Sequence, residues 1–98
     1  MIDYFKKYNI TIEEMEKIEA GLDKELITNF KVMENNVCEV LEYFRELGIK
    51  NLSNIIIYRP DLCFKTKMYL EIQMQRIDVE LLKYIIDNNI DDLICFNI

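Results

Sequence analysis

The side chains able to do chemistry in this sequence are carboxylates, a few cations and three thiols. Their spacing favours surface contact over catalysis. Glu13, Glu14, Glu16 and Glu19 crowd one short stretch, and Asp23 and Glu25 follow, offset only by Lys17 and Lys24. Glu39, Glu42 and Glu46 recur at intervals of three and four, which puts side chains on one face of a helix. Glu13, Glu16, Glu19, Glu39, Glu42 and Glu46 are therefore the candidate contacts of an acidic face. Helices stacked in parallel would join the two stripes into one negative surface that steers a basic protein and repels phosphate. The plain alternative is that both stripes only keep a half-apolar chain soluble. Arg59, Lys65, Lys67 and Arg76 form the one locally basic region. They are candidate contacts for phosphate or an acidic partner, with Tyr58 and Tyr69 near enough in sequence to stack on a base. Ordinary surface charge near helix ends is the plainer reading of all four.

Catalysis finds little to build on. The chain has no histidine. Ser53 is its only serine and has no base to activate it, so a Ser-His-Asp triad is excluded. The two glycines are isolated, so no phosphate-cradling loop exists. Asp87, Asp91 and Asp92 lack the spacing of a calcium loop. Cys38, Cys63 and Cys95 are odd in number, widely spaced and without histidine partners, which speaks against zinc and against a disulfide framework. Each sits beside apolar residues and reads as a buried structural thiol in a reducing compartment. No enzyme activity, metal or cofactor is expected. No apolar run approaches a membrane span, and the first residues lack a signal-peptide core. A cytoplasmic protein follows. The formal charge of −6 argues against nucleic acid and anionic membranes as partners.

The elements that must carry these residues are helical. Half of the 98 residues are hydrophobic, which suits a single domain spanning 1–98. Two glycines and one proline leave too little turn chemistry for a sandwich or barrel. An all-α chain of six to eight short helices is expected. The clearest part runs over 36–64. Val37, Val40, Leu41, Phe44 and Leu47 form an apolar stripe. Asn36 with Glu39 reads as an approximate capping box, and Gly48 as a left-handed stop with Ile49 folding back. Asn51 reads as the cap of a second helix carrying Leu52, Ile55 and Ile56, and Pro60 breaks it. The run Ile55 to Tyr58 also suits a buried strand, but it lies between a cap and a proline and lacks a partner strand.

Elsewhere, Ile2 and Phe5 share a face of a short first helix. Thr11 with Glu14 caps a helix over 11–20 that buries Met15, Ile18 and Leu22 and stops at Gly21. Asp23 caps another, with Leu26, Ile27 and Phe30 inward, and 29–36 is a connection. Thr66 caps a helix over 67–75, with Met68, Tyr69 and Ile72 as its apolar stripes. Asp78 opens one that buries Leu81, Leu82, Ile85 and Ile86 and stops at Asn88 and Asn89. A last turn from Asp91 or Asp92 buries Leu93, Ile94 and Phe96.

Phe30, Phe64 and Phe96 lie 34 and 32 residues apart, and each closes a unit. Ile10, Ile49 and Ile77 precede helix starts. The period predicts about three imperfect helix-pair repeats stacked as an α-solenoid, because one unit cannot bury its own face. The run Leu41, Phe44, Leu47-Gly48-Ile49, Ile55-Ile56, Arg59-Pro60 and Leu62 resembles the helical repeat of mitochondrial transcription termination factors. That resemblance covers about thirty residues. The flanking units lack the matching glycine and proline, with Asn9 and Arg76 near the Gly48 position. The resemblance implies a helical array that binds nucleic acid along a basic groove, whereas this chain is acidic. Three functions stay open. The first is a protein-interaction module, monomeric or homodimeric, whose partner has a basic surface. The second is a small acidic inhibitor, of the sort phages use against host defences, that mimics nucleic acid in an anti-CRISPR manner. The third is a nucleic-acid binder.

Overall fold

The structure, a computed structural model, describes residues 2–98. Every regular element among them is helical. In chain order these are the 3-10 helix η1 (Asp3–Tyr8), α1 (Ile12–Gly21), α2 (Lys24–Val32), α3 (Glu34–Glu46), α4 (Leu52–Tyr58), α5 (Pro60–Cys63), α6 (Lys67–Met74), α7 (Val79–Asn88) and the 3-10 helix η2 (Ile90–Phe96). Among the described residues these are nine helices, one more than the upper expected number, with a 3-10 helix at each end of the series. The run Ile55 to Tyr58 is helix, with Ile55 and Ile56 fully buried.

Local chemistry sets most boundaries. Thr11 and Glu14 make the full capping box: the Glu14 amide donates to the Thr11 hydroxyl, and the Thr11 amide donates to the Glu14 carboxylate. The Asp23 carboxylate accepts from the Leu26 amide, Thr66 from Tyr69, and Asp78 from Glu80 and Leu81. Each satisfies amides that a helix start leaves without partners. At the end of α3 the Gly48 amide donates to the Arg45 carbonyl and the Ile49 amide to Phe44, with Gly48 at φ +94°. This six-to-one closure needs a left-handed residue, which glycine adopts without strain. Asn9 and Asn97 take the same left-handed region at φ 61° and 60°. Pro60 opens α5 at its first position, where its missing amide costs nothing.

Several expectations are corrected. Asn36 is not a cap: α3 begins two residues earlier, and the Asn36 side-chain amide donates instead to the Cys63 and Lys65 carbonyls. The supposed connection over 29–36 is mostly helix, because α2 and α3 are separated by Met33 alone. Asn51 precedes α4 but makes no side-chain cap; its backbone amide donates to the Asp87 carboxylate. Gly21 ends α1 as expected, as its last residue. In α6 the buried residues are Leu70 and Met74, whereas Met68 and Ile72 are 71% and 58% exposed. Tyr69, Leu81 and Ile94 are also exposed. Of the three thiols, Cys63 is buried, Cys38 half-buried and Cys95 exposed.

The helices form rows. η1 packs on α3, and α3 on α6; α1 packs on α4, and α4 on α7. α2 and α5 lie against α3, and η2 against α4 and α7. The body measures 35 × 23 × 22 Å. Its core centres on Val37, Val40, Leu41 and Phe44 of α3, all without exposed surface. Phe5 meets Phe30 edge-on at 5.4 Å, and Phe30 meets Phe64 at 4.8 Å, so a chain of rings joins η1, α2 and the end of α5. The isoleucines before α1, α4 and α7, Ile10, Ile49 and Ile77, are each 5% exposed.

Candidate functional site

The row of η1, α3 and α6 carries a hollow of about 550 Å³ lined by Tyr8, Cys38, Glu39, Glu42 and Lys67. Three elements build it. Tyr8 is placed by the last turn of η1, and its hydroxyl donates to the Cys38 carbonyl at 3.2 Å. Burial, with the Cys38 side chain next, pushes the Tyr8 hydroxyl well above its usual pKa and keeps it protonated. Arg45 lies over the Tyr8 ring at 5.0 Å, donates to the Lys7 carbonyl and pairs with Glu42. Those contacts fix the η1 side of the rim. Lys67 enters from α6 and pairs with Glu71 at 3.7 Å. Glu39 faces solvent and makes no ion pair among the described residues.

Glu39 and Glu42 thus come together with Lys67, a residue read from sequence as part of a separate basic region. Glu46 lies further along the same exposed face of α3. Glu13 and Glu16 are exposed and Glu19 half-buried on α1, in the other row of helices. Glu14 is tied into the capping box, and its carboxyl is held below its usual range, chiefly by the Thr11 backbone amide.

The four basic candidates do not act as a cluster of free cations. Arg59 grips both carboxylate oxygens of Asp61 at 3.0 Å and donates to the main-chain oxygen of Ile98. Burial pushes the Asp61 carboxyl up, but the Arg59 bonds outweigh it and hold the group below its usual range. Arg76 donates to Gln73 and to the Phe96 carbonyl, tying the end of α6 to η2. Lys65 lies over the Tyr69 ring at 5.5 Å.

A second cleft, of about 440 Å³, lies where α4 meets the end of α7 and is walled by Asn54, Tyr58, Asn88, Asn89, Ile90, Asp91 and Asp92. The Asn54 side chain is engaged there, donating to the Ile86 and Asp87 carbonyls. Among the described residues no group of three His, Cys, Asp or Glu side chains stands close enough to hold a metal ion. Cys63 is fully enclosed, and burial raises its thiol pKa, which removes it as a nucleophile. No described helix is long and apolar enough to cross a membrane. Sequence reasoning missed Tyr8 and Cys38 as site residues. They carry no motif and meet the glutamates only through the packing of η1 on α3. Comparison with protein families, curated proteins and solved structures finds no match.

Proposed function

We propose that this chain is a non-enzymatic protein-interaction module whose contact surface centres on Glu39 and Glu42 and takes a basic surface of another protein. The observation that carries the reading is the hollow on the η1–α3–α6 row, where two carboxylates border a recess with an aromatic wall. A lysine or arginine side chain of a partner fits beside Glu39, which makes no ion pair among the described residues, while Arg45 of the chain itself covers the Tyr8 ring and pairs with Glu42. The test compares proteins retained from a lysate of the native host by the parent chain and by the Glu39→Lys, Glu42→Lys variant. A basic protein held by the parent, released by salt and lost with the variant supports the reading. Identical retention by both chains removes the acidic hollow from it.

A narrower version makes the chain an acidic inhibitor that occupies a nucleic-acid site on its target. It is supported by the outward carboxylates Glu13, Glu16, Glu39 and Glu46. Competition between this chain and nucleic acid for the captured protein separates the two versions. The stacked-unit reading draws on the paired rows η1–α3–α6 and α1–α4–α7 and on the left-handed residues before Ile10 and Ile49. The resemblance to the transcription termination factors, read from residues 41–62, is proposed for the architecture alone. Its nucleic-acid activity draws less support, since Arg59 and Arg76 are held by their own chain. A reducing, cytoplasmic setting is supported by three unpaired thiols.

A further inference from the structure

We infer that the cleft between α4 and the end of α7 binds a small organic cation of the diamine class, with its ammonium groups at Asp91, Asp92 and the amide oxygens of Asn54 and Asn88, and its alkyl segment on the Tyr58 ring. The cleft shares no lining residue with the hollow of the η1–α3–α6 row, so it stands or falls apart from the protein-interaction reading. The carrying observation is the hydrogen-bond state of the wall. The Asn54 side-chain nitrogen donates to the Ile86 and Asp87 carbonyls, and the Asn88 nitrogen to the Tyr84 carbonyl. Each amide thus has its donor engaged by the chain and its oxygen left for another donor. Asp91 and Asp92 make no ion pair among the described residues, and no lysine or arginine lines the cleft. α7 also ends here, where its last carbonyls carry the negative end of the helix dipole. A wall of acceptors without a cation suits a ligand that is positive and rich in N–H donors.

Size and lining narrow the cation. A volume of about 440 Å³ lies in the range of small-molecule sites and far exceeds a bare ion. Among the described residues no three His, Cys, Asp or Glu side chains converge, so the oxygen cage of a divalent metal is lacking. Ile90 is buried and Tyr58 is 61% exposed, which sets an apolar floor and an open ring beside the carboxylates. Methylene groups lie well against such surfaces, and an ammonium group is drawn to a ring face. Asp91 and Asp92 are successive residues of η2, and successive residues of a 3-10 helix point about 120° apart. The two carboxylates therefore serve two separate charges better than one. A diamine carries both on one flexible chain.

The test titrates the full isotope-labelled chain with putrescine, with butylamine and with magnesium ion. Putrescine should give saturable amide shifts confined to Asn54, Tyr58 and residues 88–92. It should bind about tenfold more tightly than butylamine, which has the same carbon chain and one charge. Magnesium carries the same total charge and should not displace it at equal concentration. Asp91→Asn with Asp92→Asn should weaken putrescine about tenfold, and Tyr58→Leu about threefold. All three side chains are exposed, and unchanged circular dichroism checks the fold of each variant. Should the asparagine pair fail to fold, Tyr58→Leu carries the test alone. Unsaturable shifts spread over the glutamates of α1 and α3, or displacement by magnesium, mean that an acidic chain is gathering counter-ions and overturn the site. Equal binding of putrescine and butylamine overturns the diamine. Binding indifferent to the folded variants overturns the inference as a whole.

Discussion

At Gly48 the backbone turns into the left-handed region at φ +94°, and two amides close α3 behind it. A Cβ there would stand 3.1 Å from the flexible end of Lys83, which can move, so the cost lies in the backbone. Gly48→Ala should destabilise the fold by about 1 kcal/mol, read as a lower midpoint in urea at unchanged slope. An unchanged midpoint would show that the turn tolerates a side chain. Thr11 and Glu14 act on the first turn of α1. Thr11→Ala should cost about 1 kcal/mol. The Glu14 carboxyl is depressed in the folded chain, so its contribution is present above the ordinary glutamate pKa and is lost as pH falls through the folded value. Glu14→Gln should therefore lower stability near neutral pH and make the acid limb of a stability–pH curve shallower. An acid limb unaltered by that substitution would leave the carboxylate without a role in the cap. These features were legible in the sequence because capping chemistry is local: the partners lie three to five residues apart.

The elements were less legible where two faces compete. In α6 the stripe Met68, Tyr69 and Ile72 is as apolar as the stripe Leu70 and Met74, and no local signal chooses between them. Packing against α3 chooses, and it takes the second. Leu70→Ala should cost roughly 2–5 kcal/mol by opening a cavity, while Ile72→Ala should stay within about 0.5 kcal/mol. Chemical denaturation of the two variants checks the ordering, and a reversed ordering would return α6 to the face expected from sequence. Asn36 was misread for a related reason. An asparagine followed three residues later by a glutamate suits a helix start, but its amide finds carbonyls 27 and 29 residues away, beyond the reach of any local pattern. The candidate site shares this limit. Glu39 and Glu42 were visible as a stripe, whereas Tyr8, Cys38 and Lys67 join them only when η1 and α6 flank α3.

Across the whole molecule, side-chain amides and guanidinium groups tie the parts together through main-chain oxygens. Asn36 reaches the end of α5, Asn54 the end of α7, and Arg59 and Arg76 the segment around Phe96 to Ile98. No buried side-chain nitrogen or oxygen among the described residues lacks a partner. Each tie reaches a main-chain oxygen 20 or more residues away, so segments distant in sequence depend on one another for partners. Segments without such ties would be free to open independently. With α3 and α4 touching neighbours on both sides, the chain should unfold in one cooperative step. Far-ultraviolet circular dichroism and tyrosine fluorescence should give coincident transitions in urea. Phe44→Ala, at the centre of α3, should shift both together by roughly 3–5 kcal/mol. Arg76→Met keeps the bulk of the side chain and removes its bond to Phe96. It should lower the common midpoint by about 1–3 kcal/mol, the range for a hydrogen bond from a charged donor, reduced by exposure. Hydrogen exchange separates the alternatives: coupled rows give the core amides of α3, α4 and α7 one shared opening free energy. Earlier exchange throughout α7, with α3 still protected, would mean that the last row opens independently and that the ties through Asn54 and Arg76 do not couple it to the rest.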